Sequence, residues 1–412
     1  MANAAKLRHH PQRSPLMKSP SDISPYLGQL VGFRHDLHAH PELKYEETRT
    51  SDQVAAYLSA LGLPLHRGMG KTGVVATLRG KGARAGDAGR AIGLRADMDA
   101  LPVTEINTFS HISTNVGRMH ACGHDGHTTM LLGAATLLAK QPDFDGTVHF
   151  IFQPGEEGGA GARAMMEDGL FKQFPVKAVF ALHNWPALPA GEFGVRIGPI
   201  MASANRFEIR VIGKGGHAAQ PHTTIDPIPI ACSIVGQLQT LVSRTVDPLD
   251  SAVLTVGKID SGTVENIIPN EAAIFGTCRT LKPETLAALV AGIERISQHV
   301  AAAHGATAQV TIKPGYPCTV NHPNEARFMA QVMGRMVEPG HAHDDVLPAM
   351  TSEDFGFMLE EVPGCYGFIG NGPNGKPGVN LHSANYDFND EILGLGSSFW
   401  AKLVREWFAK TA

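Results

Sequence analysis

The chain has 412 residues, 35 Lys and Arg against 39 Asp and Glu, and a formal net charge of −4. That length exceeds what one hydrophobic core serves, so two domains are expected. The mild acidity, without a basic block or an acidic tail, argues against a nucleic-acid surface and a solvating segment; no apolar run reaches the roughly 20 residues of a membrane span.

Residues 1–20 are basic and contain proline but lack the apolar stretch of a signal peptide, and they read as a poorly ordered extension. A helix is expected over 21–38, with Ile23, Leu27, Leu30 and Phe33 near helical spacing. His40-Pro41-Glu42 breaks it, and a second helix covers 46–61. Strands at 73–78 and 91–94, a helix at 126–140, and strands at 146–152 and 176–182 follow. This alternation implies an α/β sheet covered on both faces. The pattern then changes to strand 205–212, helix 226–243, strands 252–259 and 272–280, helix 283–303 and strand 307–312. Strand-helix-strand-strand-helix-strand is the ferredoxin-like order. Its two ends lie side by side, so such a unit can be inserted into another domain. From 315 the α/β pattern resumes and ends in a helix over 390–410. Residues 21–200 and 315–412 are thus expected to form one catalytic domain around an inserted 201–314.

The densest chemistry is Met119-His120-Ala121-Cys122-Gly123-His124-Asp125-Gly126-His127. Cys122 and His124 flank one glycine, which lets two side chains turn toward a common point. Thiolate beside imidazole suits zinc and neighbouring first-row metals better than magnesium or calcium. Phe152-Gln153-Pro154-Gly155-Glu156-Glu157-Gly158-Gly159 follows a buried strand. Adjacent carboxylates there call for a cation, with one ligating and the other left as a base of tuned pKa. His183 ends the apolar strand Ala178-Val179-Phe180-Ala181-Leu182, and His382 sits in the polar Val379-Asn380-Leu381-His382-Ser383-Ala384. Cys122, His124, Glu157, His183 and His382 are five candidate ligands. Five are too many for one tetrahedral zinc but suit two ions, which is a hydrolase arrangement. The five cysteines (Cys122, Cys232, Cys278, Cys318, Cys365) are scattered and odd in number, fitting reduced thiols in a cytoplasm.

In this order the motifs resemble the aminoacylase/carboxypeptidase superfamily of dinuclear metallohydrolases. Its hippurate hydrolase and indoleacetyl-amino-acid hydrolase branch is the most similar. The likeness runs from Phe33-Arg34-His35-Asp36-Leu37-His38-Ala39-His40-Pro41-Glu42 to Phe388. It implies a zinc-peptidase-like α/β catalytic domain with a mixed sheet. It also implies an inserted ferredoxin-like α+β lid that pairs subunits into a homodimer or higher oligomer. Position by position, it implies that Cys122, His124, Glu157, His183 and His382 bind two divalent ions (Zn, Mn, Ni or Co) and that Glu156 is the general base. Leu94-Arg95-Ala96-Asp97-Met98-Asp99-Ala100-Leu101-Pro102 matches the segment holding an essential aspartate, aligned with Asp99. Related peptidases carry a ligand His where Asp97 stands, so Asp97 and Asp99, with Asp125, are placed behind the ligands as orienting acceptors. In Gly213-Lys214-Gly215-Gly216-His217, the resemblance assigns His217 to oxyanion stabilisation in a neighbouring subunit. Asn266 and Arg279 match lid positions that hold a substrate carboxylate, a task suited to a planar guanidinium fork. Ser352-Glu353-Asp354-Phe355 matches a segment near the metals without a defined role. Gly155 departs from the branch's usual alanine, and Cys122 from the bridging aspartate of the wider superfamily.

The implied activity is hydrolysis of the amide bond of an N-acyl amino acid, with no nucleic-acid or membrane partner. Two alternatives stay open: a metallo-dipeptidase or carboxypeptidase of the same superfamily, and a metal-dependent binding protein without chemistry. Glu156 beside Glu157 argues against the second. A dehydrogenase is excluded, because no Gly-x-Gly-x-x-Gly follows the early strands.

Overall fold

The computed structural model describes residues 22–82, 84, 89–372 and 379–410. The extension expected over 1–20 lies outside the described residues. Five strands come early: β1 (Leu65–Met69), β2 (Gly73–Arg79), β3 (Ala91–Asp97), β4 (Thr147–Gln153) and β5 (Ala178–Trp185). They join Phe193–Gly194, Ala342–His343 and Gly364–Gly370 in one eight-stranded sheet. Its order is β1, β2, β4, β3, β5, Gly364–Gly370, Phe193–Gly194, Ala342–His343. β4, β3, β5 and Gly364–Gly370 run parallel, whereas β1 and β2 pair antiparallel. The parallel strands are buried on both faces, as their near-continuous apolar sequences require. They finish together at Asp97, Gln153, Trp185 and Gly370, and the crevice beyond such ends is where open α/β sheets bind ligands.

The helices that cover this sheet begin where local chemistry starts them. α1 spans Leu27–Ala39 after a 3-10 turn at Ser24–Tyr26, so the first helix starts later than its apolar spacing suggests. α2 spans Thr48–Ala60. α3 spans His124–Lys140 and is buried from His124 to Leu138, which explains its weak amphipathic signal in sequence. It packs against α1 and the C-terminal helix Leu393–Lys410. Gly133 makes this approach possible: a Cβ there would overlap Ser397 and press on Leu30. β1 escaped the sequence reading because Leu-His-Arg-Gly-Met is a largely exposed edge strand without apolar alternation.

The inserted unit is a second, antiparallel sheet of four strands. Its order is Ala252–Ser261, Glu271–Thr280, Ala204–Ile212, Thr307–Tyr316. Helices Pro227–Thr245 and Pro283–Ala303 pack on it around a separate core that includes Phe207, Ile234, Leu238 and Ile293. Both helices carry proline in the first turn, and the Asp226 carboxylate accepts the Ile228 N–H at 3.0 Å. This is the ferredoxin-like arrangement. The chain crosses between the sheets twice, where Gly198–Met201 pairs with Thr319–Asn321 and where Ala204 pairs with Tyr316.

Two glycine-to-alanine changes should move stability in opposite directions. Gly32→Ala, in α1 with open space around it, should gain about 0.5–1 kcal/mol from helix propensity. Gly133→Ala should lose about 1–2 kcal/mol net, because overpacking outweighs that gain. Urea denaturation of both proteins checks the pair; a more stable Gly133→Ala would contradict the close helix contact.

Candidate metal centre

Candidate ligand side chains from four distant segments meet beyond the carboxyl ends of the parallel strands. Gly123 adopts φ 89°, and any Cβ there would overlap Asn184 and Tyr386, so only glycine fits. That turn carries Cys122 and His124, the first residue of α3, to the same side. One ligand atom from each of Cys122, His124 and Glu157 lies within 4.8 Å of the others. Cys122 Sγ is 3.5 Å from His183 Nε2. Glu157 Oε1 is 3.2 Å from His382 Nε2. All five ligands expected from sequence therefore converge.

The hydrogen bonds around them leave the inward atoms free. His183 Nδ1 faces the Asn184 carbonyl at 2.6 Å, which fixes the tautomer that bares Nε2 toward Cys122. The buried ring nitrogens of His124 face only the Asp99 and Asp97 carboxylates, at 3.4 and 3.7 Å, and Glu157 Oε1 faces the His382 ring, so none of these atoms is spent on a well-formed hydrogen bond. Thiol, imidazole and carboxylate in such a setting fit a first-row divalent cation. His127 is close to Asp97, His124 and His183 but is already saturated. Its Nδ1 faces Asp97 Oδ1 at 2.6 Å, and its Nε2 accepts the Asn184 N–H at 2.9 Å. His382 reaches the cluster from a left-handed backbone (φ 64°), and its N–H donates to Ala121 O at 2.7 Å. Its side chain is 53% exposed, unlike the other four.

The acids behind the ligands act on backbone as well as side chains. Asp99 accepts the N–H groups of Glu156 and Glu157, each at 2.9 Å, and its Oδ1 is 3.4 Å from His124 Nδ1. Asp97 Oδ2 accepts from Arg95 at 2.8 Å. Asp125 accepts from His38 Nδ1 at 2.9 Å and from Arg34 at 3.3 Å. Glu156 is buried, and Asp354 N–H points to its Oε1 at 3.3 Å. Burial first, then the like charges of Glu353, Glu157, Asp354 and Asp99, push the Glu156 carboxyl well above the usual carboxylate range. Burial, with Glu157, Glu156 and Asp97 nearby, likewise raises the Cys122 thiol. His124 is raised to about 10, because Asp97 and Asp99 outweigh the opposing effect of its burial.

Sequence reasoning passed over the residue that joins these acids. Arg95 is buried at the middle of β3, donating to Gln153 Oε1 at 2.8 Å, Asp97 at 2.8 Å, and Glu353 and Asp354 at 3.0 Å each. Gln153 in turn donates to Asp354 at 2.8 Å, and Tyr366 donates to Glu353 at 2.8 Å. The available signals were Arg95 inside the Leu94–Pro102 motif and the Glu353-Asp354 pair. Asn184, Tyr386 and Tyr316 carried no sequence signal.

The lid residues sit apart from the cluster. His217 is exposed in the ladder of Gly216–His217 with Ile267–Ile268, and neighbouring Asn266 accepts the Ala218 N–H at 3.1 Å. Arg279 lies on Glu271–Thr280, and its Nη1 is buried without a hydrogen-bond partner. No hydrogen bond or ion pair among the described residues ties these three to Cys122, His124 or Glu157 within one chain.

Residues 93–406 match the model of peptidase family M20/M25/M40. The chain belongs to that family. It is 39% identical over 380 residues to a hippurate hydrolase of Campylobacter jejuni, covering 92% of this chain and 97% of that protein. It is also 39% identical over 386 residues to an IAA-amino acid hydrolase of Arabidopsis thaliana, covering 92% and 85%. A crystal structure from Bacillus subtilis, described as a dinuclear metal binding peptidase of the M20 family, superposes with a TM-score of 0.81 at 33% identity. That match covers 94% of this chain and 99% of the other.

The network behind the ligands should make stability depend on pH. Despite its burial, His38 is raised to about 9 by hydrogen bonds to Asp125 and Glu105 and by the Asp125 charge, with Arg34 opposing. A raised folded-state value stabilises fully below the unfolded value near 6.5 and is lost as pH climbs through about 9. The advantage of the wild-type chain over His38→Gln should therefore be on the order of 3 kcal/mol at pH 6 and shrink steadily toward pH 9.5. A difference in unfolding free energy that stays flat across this range would refute the ionised pair.

Proposed function

We propose that the protein is a metal-dependent amidohydrolase that splits an N-acyl amino acid into a carboxylic acid and a free amino acid. The observation that carries this reading is the convergence of Cys122, His124, Glu157, His183 and His382 beside a buried Glu156. Those five residues would hold two divalent cations. When bound, such ions lower the pKa of water from near 16 toward about 7 and polarise an amide carbonyl. Glu156 takes the proton from the attacking water and returns it to the departing amine. A carboxyl whose affinity for protons is raised by burial suits both transfers. Asp99 fixes where that carboxyl sits by gripping the backbone of both glutamates.

The related proteins are named for hippurate, indoleacetyl-amino acids and N-acetylcysteine, which share a free amino-acid carboxylate beyond the scissile amide. The unpartnered guanidinium N–H of Arg279 supports a carboxylate receptor there, with Asn266 beside it. His217 is assigned to the oxyanion of a second subunit, a donor typically worth about 3–4 kcal/mol. Its exposure, with no hydrogen bond or ion pair to the cluster among the described residues, favours action in trans. Strand Ala252–Ser261, an edge of the lid sheet with exposed Ile259 and neighbouring exposed Val264 and Ile267, supports pairing of two lids. Five unpaired cysteines support a reducing compartment such as the cytoplasm. No helix among the described residues is long and apolar enough to cross a membrane.

Glu156→Gln should keep its metal content and lose about 10²- to 10⁴-fold in kcat on hippurate. Elemental analysis with a panel of N-acyl amino acids and dipeptides checks this. Ordinary turnover by the mutant removes the base assignment, and preference for dipeptides moves the reading to a dipeptidase. Mixing His217→Ala chains with Glu156→Gln chains should restore part of the activity through hybrid dimers. Hybrid dimers that form but remain inactive would place His217 outside the partner's site.

A further inference from the structure

We propose that Tyr316 is the positioning residue through which the lid sets the place of the catalytic base. The inference rests on the reading of Glu156 as that base. Tyr316 is the last residue of the lid strand Thr307–Tyr316 and pairs with Ala204, where the chain crosses between the sheets. The register slips between Pro314 and Tyr316, and Gly315 lies so close to the Ala204 carbonyl that a Cβ would not fit. From this crossing the tyrosine ring reaches into the catalytic domain. Its hydroxyl donates to the carbonyl of Glu156 and accepts the N–H of Ala160 at 3.1 Å. One oxygen, with one proton and two lone pairs, ties both ends of the glutamate turn.

The turn needs such restraint. Gly155, Gly158 and Ala160 all have positive φ (60°, 71° and 56°), and Ala160 adopts it without the freedom of glycine. From the catalytic domain, Glu47 accepts the Gly155 N–H at 2.8 Å, and Tyr45 donates to the Gly159 carbonyl at 2.7 Å. Tyr316 supplies the hold from the lid. On the far side of the same crossing, the Thr319 hydroxyl donates to the Glu353 carbonyl at 3.2 Å, next to the Asp354 N–H that faces Glu156. An open cleft of about 510 Å³ runs along the crossing, lined by Tyr316, Cys318 and Phe357 together with Lys282 and Leu286 of the lid. The junction is therefore not packed solid on that side. Any shift of the lid's last strand carries the tyrosine oxygen, and with it the backbone that bears the base.

The test uses metal-loaded enzyme and hippurate. Tyr316→Phe should lower kcat by about 10- to 100-fold, the scale of a small misplacement of a reacting group, with KM changed less than about threefold and metal content unchanged. Tyr57→Phe removes a hydroxyl that bonds Thr136 between two helices away from the turn, and should cost no more than about threefold in kcat. A Tyr316→Phe enzyme within twofold of wild type, or a Tyr57→Phe enzyme equally impaired, overturns the proposal. Should Tyr316→Phe not fold, amide hydrogen exchange on the Glu156→Gln enzyme decides. Added hippurate should protect 155–161 and 307–316 together, and protection of the lid strand alone overturns the link. Full activity in Glu156→Gln would instead defeat the functional reading itself, so the two failures are distinguishable.

Discussion

Everything at the candidate centre follows from the crowding of a knot of acids in one buried place. Asp97, Asp99, Glu156, Glu353 and Asp354 are all buried within reach of one another or of Arg95. Two like charges 4 Å apart repel by about 4 kcal/mol even at an effective dielectric of 20. Arg95 answers three of these carboxylates, and Gln153 and Tyr366 absorb remaining lone pairs. What the guanidinium leaves uncompensated falls on Glu156 and Asp354, whose carboxyls both lie well above the usual carboxylate range through burial and like charges. Divalent ions held by Cys122, His124, Glu157, His183 and His382 would reverse the local balance, favouring thiolate over thiol. The same acids that destabilise an empty cluster thus select for a filled one.

The sequence was most legible where chemistry and local geometry coincide. Cys122, His124, Glu156 and Glu157 stand out because their residue types are costly to bury without purpose, and the structure brings them together. The lid helix Pro283–Ala303 begins and ends where its proline and apolar spacing put it, and Thr307–Tyr316 continues past the strand expected over 307–312 because Ala204 pairs with its extension. Asn184, Tyr386 and Tyr316 were invisible for the opposite reason. Each is an ordinary polar or aromatic residue whose importance comes from a partner far along the chain, as when Tyr386 donates to Asn184 and Asn184 to the Cys122 carbonyl. His127 was present in the densest motif, but only its hydrogen bonds to Asp97 and Asn184 show why it is spent on orientation.

The two sheets divide labour by burial. The parallel strands are sealed on both faces and can hold a geometry to within a fraction of an ångström. The lid sheet rests on its own small core and touches the rest through two crossings. A rigid site with a separately packed cover is the arrangement expected when substrate must enter and water must then be kept out. Tyr316 and Thr319 stand where those two demands meet.

One feature of the topology reaches beyond catalysis. Strand Gly364–Gly370 sits beside β5 near the middle of the main sheet, and His382 follows it, although the lid separates both from the first half of the chain. During synthesis the ferredoxin-like unit can form from contiguous sequence, while the larger sheet waits with its edge open for a strand not yet made. The centre is therefore completed only when His382 arrives, and a nascent or prematurely ended chain carries Cys122 and the paired glutamates without the means to close around them.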